Sequence, residues 1–199
     1  MADLRFYQGL GPITLTEIAA LSGAAISDSA AGAHMINDVA PLEAAQAGKL
    51  SYAESDKALT GLAAGVLRGV ILIVKPDLAE RAAGMGALTL THAAPRQAFS
   101  RIGWHLFELR EFDGAAARHP QARCHHTARI APGVVIGAGA SIGEEVRIGP
   151  NAAIGPGCRV GRFTSIGANV SLSCADIGES CNILAGAVIG EAGFGVAVS

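Results

Sequence analysis

From Ile130 onward an aliphatic residue returns every six positions: Ile130, Ile136, Ile142, Ile148, Ile154, Val160, Ile166 and Leu172. Glycine follows directly at Gly137, Gly143, Gly149, Gly155, Gly161 and Gly167. Four positions after each aliphatic residue stands a small or β-branched one: Val134, Ala140, Val146, Ala152, Cys158, Thr164 and Val170. Agreement at all three positions over six successive hexads marks a structural repeat, in which each unit buries its apolar face only against its neighbours.

Three hexads make one triangular coil, each hexad supplying a short strand and a corner. The aliphatic side chains point inward and stack from coil to coil, and the residue four positions on must be small to fit beside them. Glycine beside the corner is expected to supply a positive φ. Coils pair at the spacing of neighbouring strands, about 4.8 Å, so the core grows by stacking. The register slips once, because Leu172 to Ile177 is five residues rather than six, after which Ile177, Ile183 and Ile189 resume the period. A one-residue deletion within Ser173-Cys174-Ala175-Asp176 is expected to tighten one corner.

Residues before about 105 show no such repeat and read as a small α/β domain. Thr14 and Glu17 form a capping box for a short helix to about Leu21, with Ile18 and Leu21 facing inward and Gly23 as its stop. Ser55 or Asp56 caps a second helix through Leu67, followed by strands at Val70–Val74 and Leu88–Leu90. Arg96 to Leu109 fits a third helix carrying Phe99, Ile102 and Phe107. The expected organisation is an α/β domain over 1–112, a linker over 113–123 and a parallel β-helix over 124–199.

Composition agrees with a packed core: half the chain is hydrophobic and 16% charged, while 26 glycines against one tryptophan favour tight turns over aromatic packing. The net charge of −2 and the scattered Lys and Arg argue against nucleic acid as a partner. The N-terminus carries no apolar run of signal-peptide length, and Leu62–Val74 is broken by Arg68 and too short to span a bilayer. A cytoplasmic protein is therefore expected. The four cysteines form no C-x-x-C pair, which points to reduced thiols.

The hexads resemble those of the hexapeptide-repeat acyltransferases, and that resemblance implies a left-handed coil, opposite to the usual crossover rule. The N-terminal half narrows it. Gly11-Pro12-Ile13-Thr14-Leu15-Thr16-Glu17-Ile18-Ala19, Val39-Ala40-Pro41-Leu42-Glu43-Ala44-Ala45 and Gly48-Lys49-Leu50-Ser51-Tyr52 resemble segments of the UDP-3-O-acylglucosamine N-acyltransferases of lipid A synthesis. So do His126-Thr127-Ala128-Arg129-Ile130, Ala185-Gly186-Ala187-Val188-Ile189-Gly190 and Gly193-Phe194-Gly195. The likeness covers nearly all of the chain and stops before the family's C-terminal part.

The resemblance implies a homotrimer that moves a 3-hydroxyacyl chain from acyl carrier protein to the 2-amino group of UDP-3-O-acylglucosamine, without a cofactor. It places a uracil pocket at Tyr52, Ser55 and Ala58, where the family has an aromatic residue, an asparagine and a tyrosine. Only Tyr52 keeps its character, and it reads equally as a strand-end core residue. Ser55 reads first as a helix cap. Phe194 would line an acyl or sugar groove or close the coils by packing, and Ala192 stands where the family has aspartate.

Amide formation needs a base for the attacking amine. The histidines are His34, His92, His105, His119, His125 and His126, so residues 130–199 contain none. The family's catalytic histidine sits on later coils, and its position is expected beyond Ser199. Zinc held by histidines of adjacent coils, as in some related β-helix trimers, is unexpected for the same reason. Cys158 and Cys181 take the small inward position of their hexads, and Cys174 falls in the broken one. Two other readings stand beside the acyltransferase: a non-catalytic trimeric scaffold, and a coenzyme A-dependent acetyltransferase.

Overall fold

The computed structural model describes residues 2–27, 32–63, 65–114 and 117–191. The chain forms two compact units, one of residues 2–3 and Gly9–Glu108, the other of Leu4–Gln8 and residues 109–191. In chain order the first part comprises β1 (Tyr7–Gly9), β2 (Ile13–Thr14), α1 (Leu15–Ser22), β3 (Ala25–Ile26), β4 (Met35–Ile36) and β5 (Leu50–Ala53). It continues with α2 (Asp56–Leu59), β6 (Ile71–Val74), α3 (Ala79–Gly84), β7 (Leu88–Thr91), α4 (Pro95–Leu106) and β8 (Phe107–Leu109).

The N-terminal unit is built on a four-stranded sheet of order β3-β7-β6-β5, in which β5, β6 and β7 run parallel and β3 antiparallel. Ile71, Leu72, Ile73 and Val74 of β6 are fully buried, because a strand paired on both edges and covered on both faces needs apolar side chains throughout. Helix α1 starts as expected: Glu17 N donates to Thr14 Oγ1 (3.2 Å) and Thr14 N donates to Glu17 Oε2 (2.7 Å), while Gly23 ends it at φ 75°. Its inward stripe is Leu15, Ile18 and Ser22, whereas Leu21 is exposed. Ser22 is tolerated inside because its hydroxyl donates to Ile18 O at 2.6 Å.

Two expected helices are shorter in the structure. α2 stops at Leu59, since Thr60 is already extended (ψ 133°) and Gly61 and Gly65 lie at φ 88° and 75°. The expected continuation to Leu67 is replaced by turns. α4 ends at Leu106 because Phe107 turns extended (φ −142°, ψ 138°) and begins β8. Its buried stripe is Pro95, Ala98, Ile102 and Leu106.

The second unit is a left-handed parallel β-helix, as the resemblance implied. Its strands are β9 (Arg123–Cys124), β10 (Arg129–Ile130), β11 (Val135–Ile136), β12 (Ser141–Ile142), β13 (Arg147–Ile148) and β14 (Ala153–Ile154). They continue with β15 (Arg159–Val160), β16 (Ser165–Ile166), β17 (Ser171–Leu172), β18 (Asp176–Ile177), β19 (Asn182–Ile183) and β20 (Val188–Ile189). Every third strand pairs, giving the ladders β9-β12-β15-β18, β10-β13-β16-β19 and β11-β14-β17-β20. Pairing reaches into the expected linker, where Arg118 bridges Ile136 and β9 opens at Arg123.

Ile136, Ile142, Ile148, Ile154, Val160, Ile166 and Leu172 are no more than 3% exposed, each burial contributing about 1.5–3 kcal/mol. At the ends of the stack Ile130, Ile177, Ile183 and Ile189 have a neighbouring coil on one side among the described residues and are only partly covered. The slip is absorbed in the corner Ser173–Ala175, three residues long where the equivalent Gly155–Cys158 has four. The ladders stay in step, with Val160 opposite Ile177.

The expected reason for the hexad glycines is corrected by the structure. Gly137, Gly143, Gly149, Gly155, Gly161 and Gly167 do not have a positive φ; a Cβ on any of them would lie 2.4–2.8 Å from an atom of the adjoining coil. They are required by close approach of backbones. The positive φ falls two residues later, at Gly133, Gly139, Glu145, Asn151, Gly157, Phe163, Asn169, Cys174, Ser180 and Gly186. There the chain turns its N–H down the stack, so Asn151, Phe163 and Asn169 donate to Pro132, Glu144 and Pro150 carbonyls at 2.8–3.2 Å.

Candidate functional site

The sheet of the N-terminal unit presents its candidate site at the end of β5. Along that strand Leu50, Ser51 and Ala53 are buried and Tyr52 is half-buried. The Tyr52 ring rests on Phe99 of α4, centroids 4.9 Å apart and planes at 44°. Chain direction then changes at Ser55, which is extended (φ −146°) and caps α2 by accepting a long 3.4 Å hydrogen bond from Ala58 N. The four-residue helix is steadied from outside by an Arg81–Asp56 ion pair.

Tyr52, Ser55 and Ala58 line one cavity of about 320 Å³, together with Pro41, Leu42, Glu43, Ala53 and Glu54. The three sequence-derived positions are thus neighbours in space. Glu43 and Glu54 were not singled out; Glu43 enters because Leu42–Ala44 forms a 3-10 turn beside the strand, and Glu54 because it follows β5 directly. The lining holds two carboxylates and no cation. Such a surface suits the uncharged, hydrogen-bonding end of a ligand and repels phosphates. The Ser55 hydroxyl accepts from Ala58 N, which leaves its proton to donate into the cavity.

Just before β5, Lys49 pairs with Asp38 at 3.2 Å, and Asp38 Oδ1 also accepts from the N–H of Val39 (2.8 Å) and Ala2 (3.3 Å). Burial works against the ionised Asp38, but these donors outweigh it and hold its carboxyl below the usual aspartate range. Ser51 Oγ, on the same strand as Tyr52, is fully buried with no hydrogen-bond partner.

The histidines do not converge. His92 Nδ1 accepts from Ala94 N at 3.0 Å, and His119 pairs with Asp113 at 2.8 Å. His125 and His126, both exposed at the first coil, lie against each other with centroids 4.4 Å apart, and His125 Nδ1 lies 3.0 Å from Thr127 Oγ1. His34 and His105 are exposed in the N-terminal unit. Cys158 is fully buried at its inward position and burial pushes its thiol pKa up. Cys181 holds the same position in the last described coil and is only half-buried. Phe194 lies outside the described residues.

Comparison with known proteins bears on both units. The family described as bacterial transferase hexapeptide (six repeats) matches residues 127–162 and 139–174. A UDP-3-O-acylglucosamine N-acyltransferase of Maricaulis maris (strain MCS10) is 53% identical over 199 residues, which is all of this chain and 58% of the relative. Proteins of the same name from Caulobacter sp. (strain K31) and Caulobacter vibrioides (strain NA1000 / CB15N) are 43% and 39% identical. The alignments cover 99% and 100% of this chain and 57% and 58% of those relatives. The chain spans a little over half the length of the curated relatives it matches. No helix among the described residues is long and apolar enough to cross a membrane. With its hexapeptide repeats matched and 53% identity along its whole length, the chain belongs to the family of UDP-3-O-acylglucosamine N-acyltransferases.

Proposed function

We propose that this chain is part of an N-acyltransferase of lipid A synthesis that moves a 3-hydroxyacyl group from acyl carrier protein to the 2-amino group of UDP-3-O-acylglucosamine. The observation that carries the reading is the 53% identity along all 199 residues to a relative of that name. In this reading the cavity at Tyr52, Ser55 and Ala58 receives the uracil. The Tyr52 ring, braced by Phe99, offers one stacking face, and the Ser55 hydroxyl offers one donor to a base oxygen. Because Glu43 and Glu54 repel anions, the base enters the cavity and the diphosphate remains outside it. The working assembly is a homotrimer in the cytoplasm.

The chemistry asks for more than these residues hold. The sugar amine is largely protonated near neutrality and must lose a proton before it attacks the acyl carbonyl. Residues 130–199 carry no histidine, and in this reading the general base is not one of the present coil residues. Loss of a general base costs a factor of about 10²–10⁴, and loss of acyl positioning adds to it. Ser55 and Ala58, in place of the amide and second aromatic, favour one other reading, a trimeric scaffold with weakened nucleotide binding.

The test is transfer of a labelled 3-hydroxyacyl group from acyl carrier protein to UDP-3-O-acylglucosamine. A polypeptide extended by the coils of the Maricaulis relative is expected to turn over, and the 199-residue chain to fall at least 100-fold below it. Turnover of the two within tenfold would place the base among the present residues. Silence of the extended protein, with its trimer intact, would favour the scaffold.

A further inference from the structure

The β-helix unit contains one segment that no hexad predicts. Leu4–Gln8 belongs to this unit, and Phe6, 8% exposed, is part of the same apolar core as the coils. The segment crosses two successive rungs of one corner. On the lower rung the Arg5 carbonyl lies 2.3 Å from where a Cβ on Gly157 would sit, and Gly157 is at φ 72°. On the upper rung is the short turn Ser173–Ala175, where Cys174 (φ 47°) interacts with Tyr7. Burial, and then Cys174, raise the Tyr7 pKa. Arg5 Nη1 donates to both carboxylate oxygens of Asp176, at 2.7 and 2.9 Å.

The same segment holds the stretch that re-enters the unit a hundred residues later. Arg110 N donates to Phe6 O at 2.8 Å, and Arg110 Nε to Leu4 O at 3.2 Å. Arg110, Glu111 and Phe112 then form one side of a cavity of about 350 Å³ whose other side is Gly155, Pro156 and Ser171–Ser173.

We propose that Leu4–Gln8 is a latch on this corner, that Gly157 and the one-residue deletion at Cys174 form its seat, and that its closure orders the Arg110–Phe112 wall of the adjoining cavity. The deletion is thereby given a role. A full-length corner would carry one more residue where Tyr7 meets Cys174, and any side chain at position 157 would occupy the place of the Arg5 carbonyl.

The experiment is hydrogen–deuterium exchange on the full chain. Gly157→Ala is expected to raise exchange in 4–8 and at the Arg110 amide by about tenfold or more, as local opening does, while strands between 141 and 166 keep their protection. Arg5→Asp, which sets two carboxylates against each other, is expected to do the same without touching the coil backbone. The charge-reversed pair Arg5→Asp with Asp176→Arg is expected to restore protection in both segments. Retained protection around Arg110 when 4–8 has opened would overturn the proposal. So would failure of the reversed pair to restore either segment in a protein whose coils remain protected.

Discussion

Tyr52 and Phe99 meet at 4.9 Å between ring centroids, tying the strand that carries the candidate pocket to the helix beneath it. A tilted aromatic contact of this kind is worth about 0.5–1.5 kcal/mol beyond the area it buries. Phe99→Ala is therefore expected to lower the thermal midpoint of the N-terminal unit and to weaken uridine diphosphate binding about 2- to 12-fold, the same energy expressed as affinity. Calorimetry on Phe99→Ala, Tyr52→Ala and the double variant checks it. Additive losses would show that Phe99 does not brace Tyr52.

Uridine diphosphate is expected to bind weakly to the present sequence, and Ser55→Asn with Ala58→Tyr to strengthen it. The pair adds an amide to read the base edge and a second stacking face, together about 1–3 kcal/mol. Asn at position 55 keeps the helix cap, so the change acts on the ligand rather than on α2. A titration showing low-micromolar affinity before the substitutions, or no gain after them, would contradict this expectation.

In the coils, two substitutions at neighbouring positions are expected to act in opposite directions. Gly161→Ala puts a Cβ 2.6 Å from the Gly178 carbonyl group; with its nearest neighbours all backbone and no side chain among them to give way, a loss of about 2 kcal/mol or more follows, the scale of core overpacking. Phe163, exposed at φ 60°, carries a left-handed penalty of about 1–2 kcal/mol. Phe163→Gly removes it at an entropic cost of about 0.5–1 kcal/mol, a net gain of up to about 1.5 kcal/mol by the same terms. Chemical denaturation of the two variants decides the signs.

The depressed pKa of Asp38 makes part of the stability depend on acid. Its folded value lies below its unfolded one, so its contribution is complete above the ordinary carboxylate range, about pH 4, and disappears as pH falls through the folded value. Solvent screening of this partly covered pair limits it to about 1 kcal/mol. Asp38→Asn is expected to cost that amount at pH 7 and to flatten the acid limb of the stability curve. An unchanged slope below pH 4 would contradict it.

Local and periodic features were legible in the sequence. The Thr14–Glu17 capping box needs only neighbours three residues apart, and the inward row from Ile136 to Leu172 needs only the six-residue period. Glu43 and Glu54 had no such signal; they join Tyr52 and Ser55 at one cavity because a turn and a strand end happen to meet there. The end of α2 at Leu59 was likewise hidden, since its helical residues continue in type and only the path through Gly61 and Gly65 stops them.

Repetition by itself determined that this protein stacks coils, because an aliphatic residue every sixth position can be buried in no shorter-range way. What the glycines are for was decided only by the stacked coils. Glycine marks both a backbone that must turn left and a backbone that another must approach, and sequence does not distinguish the two. The adjoining coil, 2.4–2.8 Å from the missing Cβ atoms, does. The seat of Leu4–Gln8 was decided in the same way: Arg5 and Asp176 are 171 residues apart, and only tertiary structure brings the short corner, Gly157 and the N-terminal segment to one place.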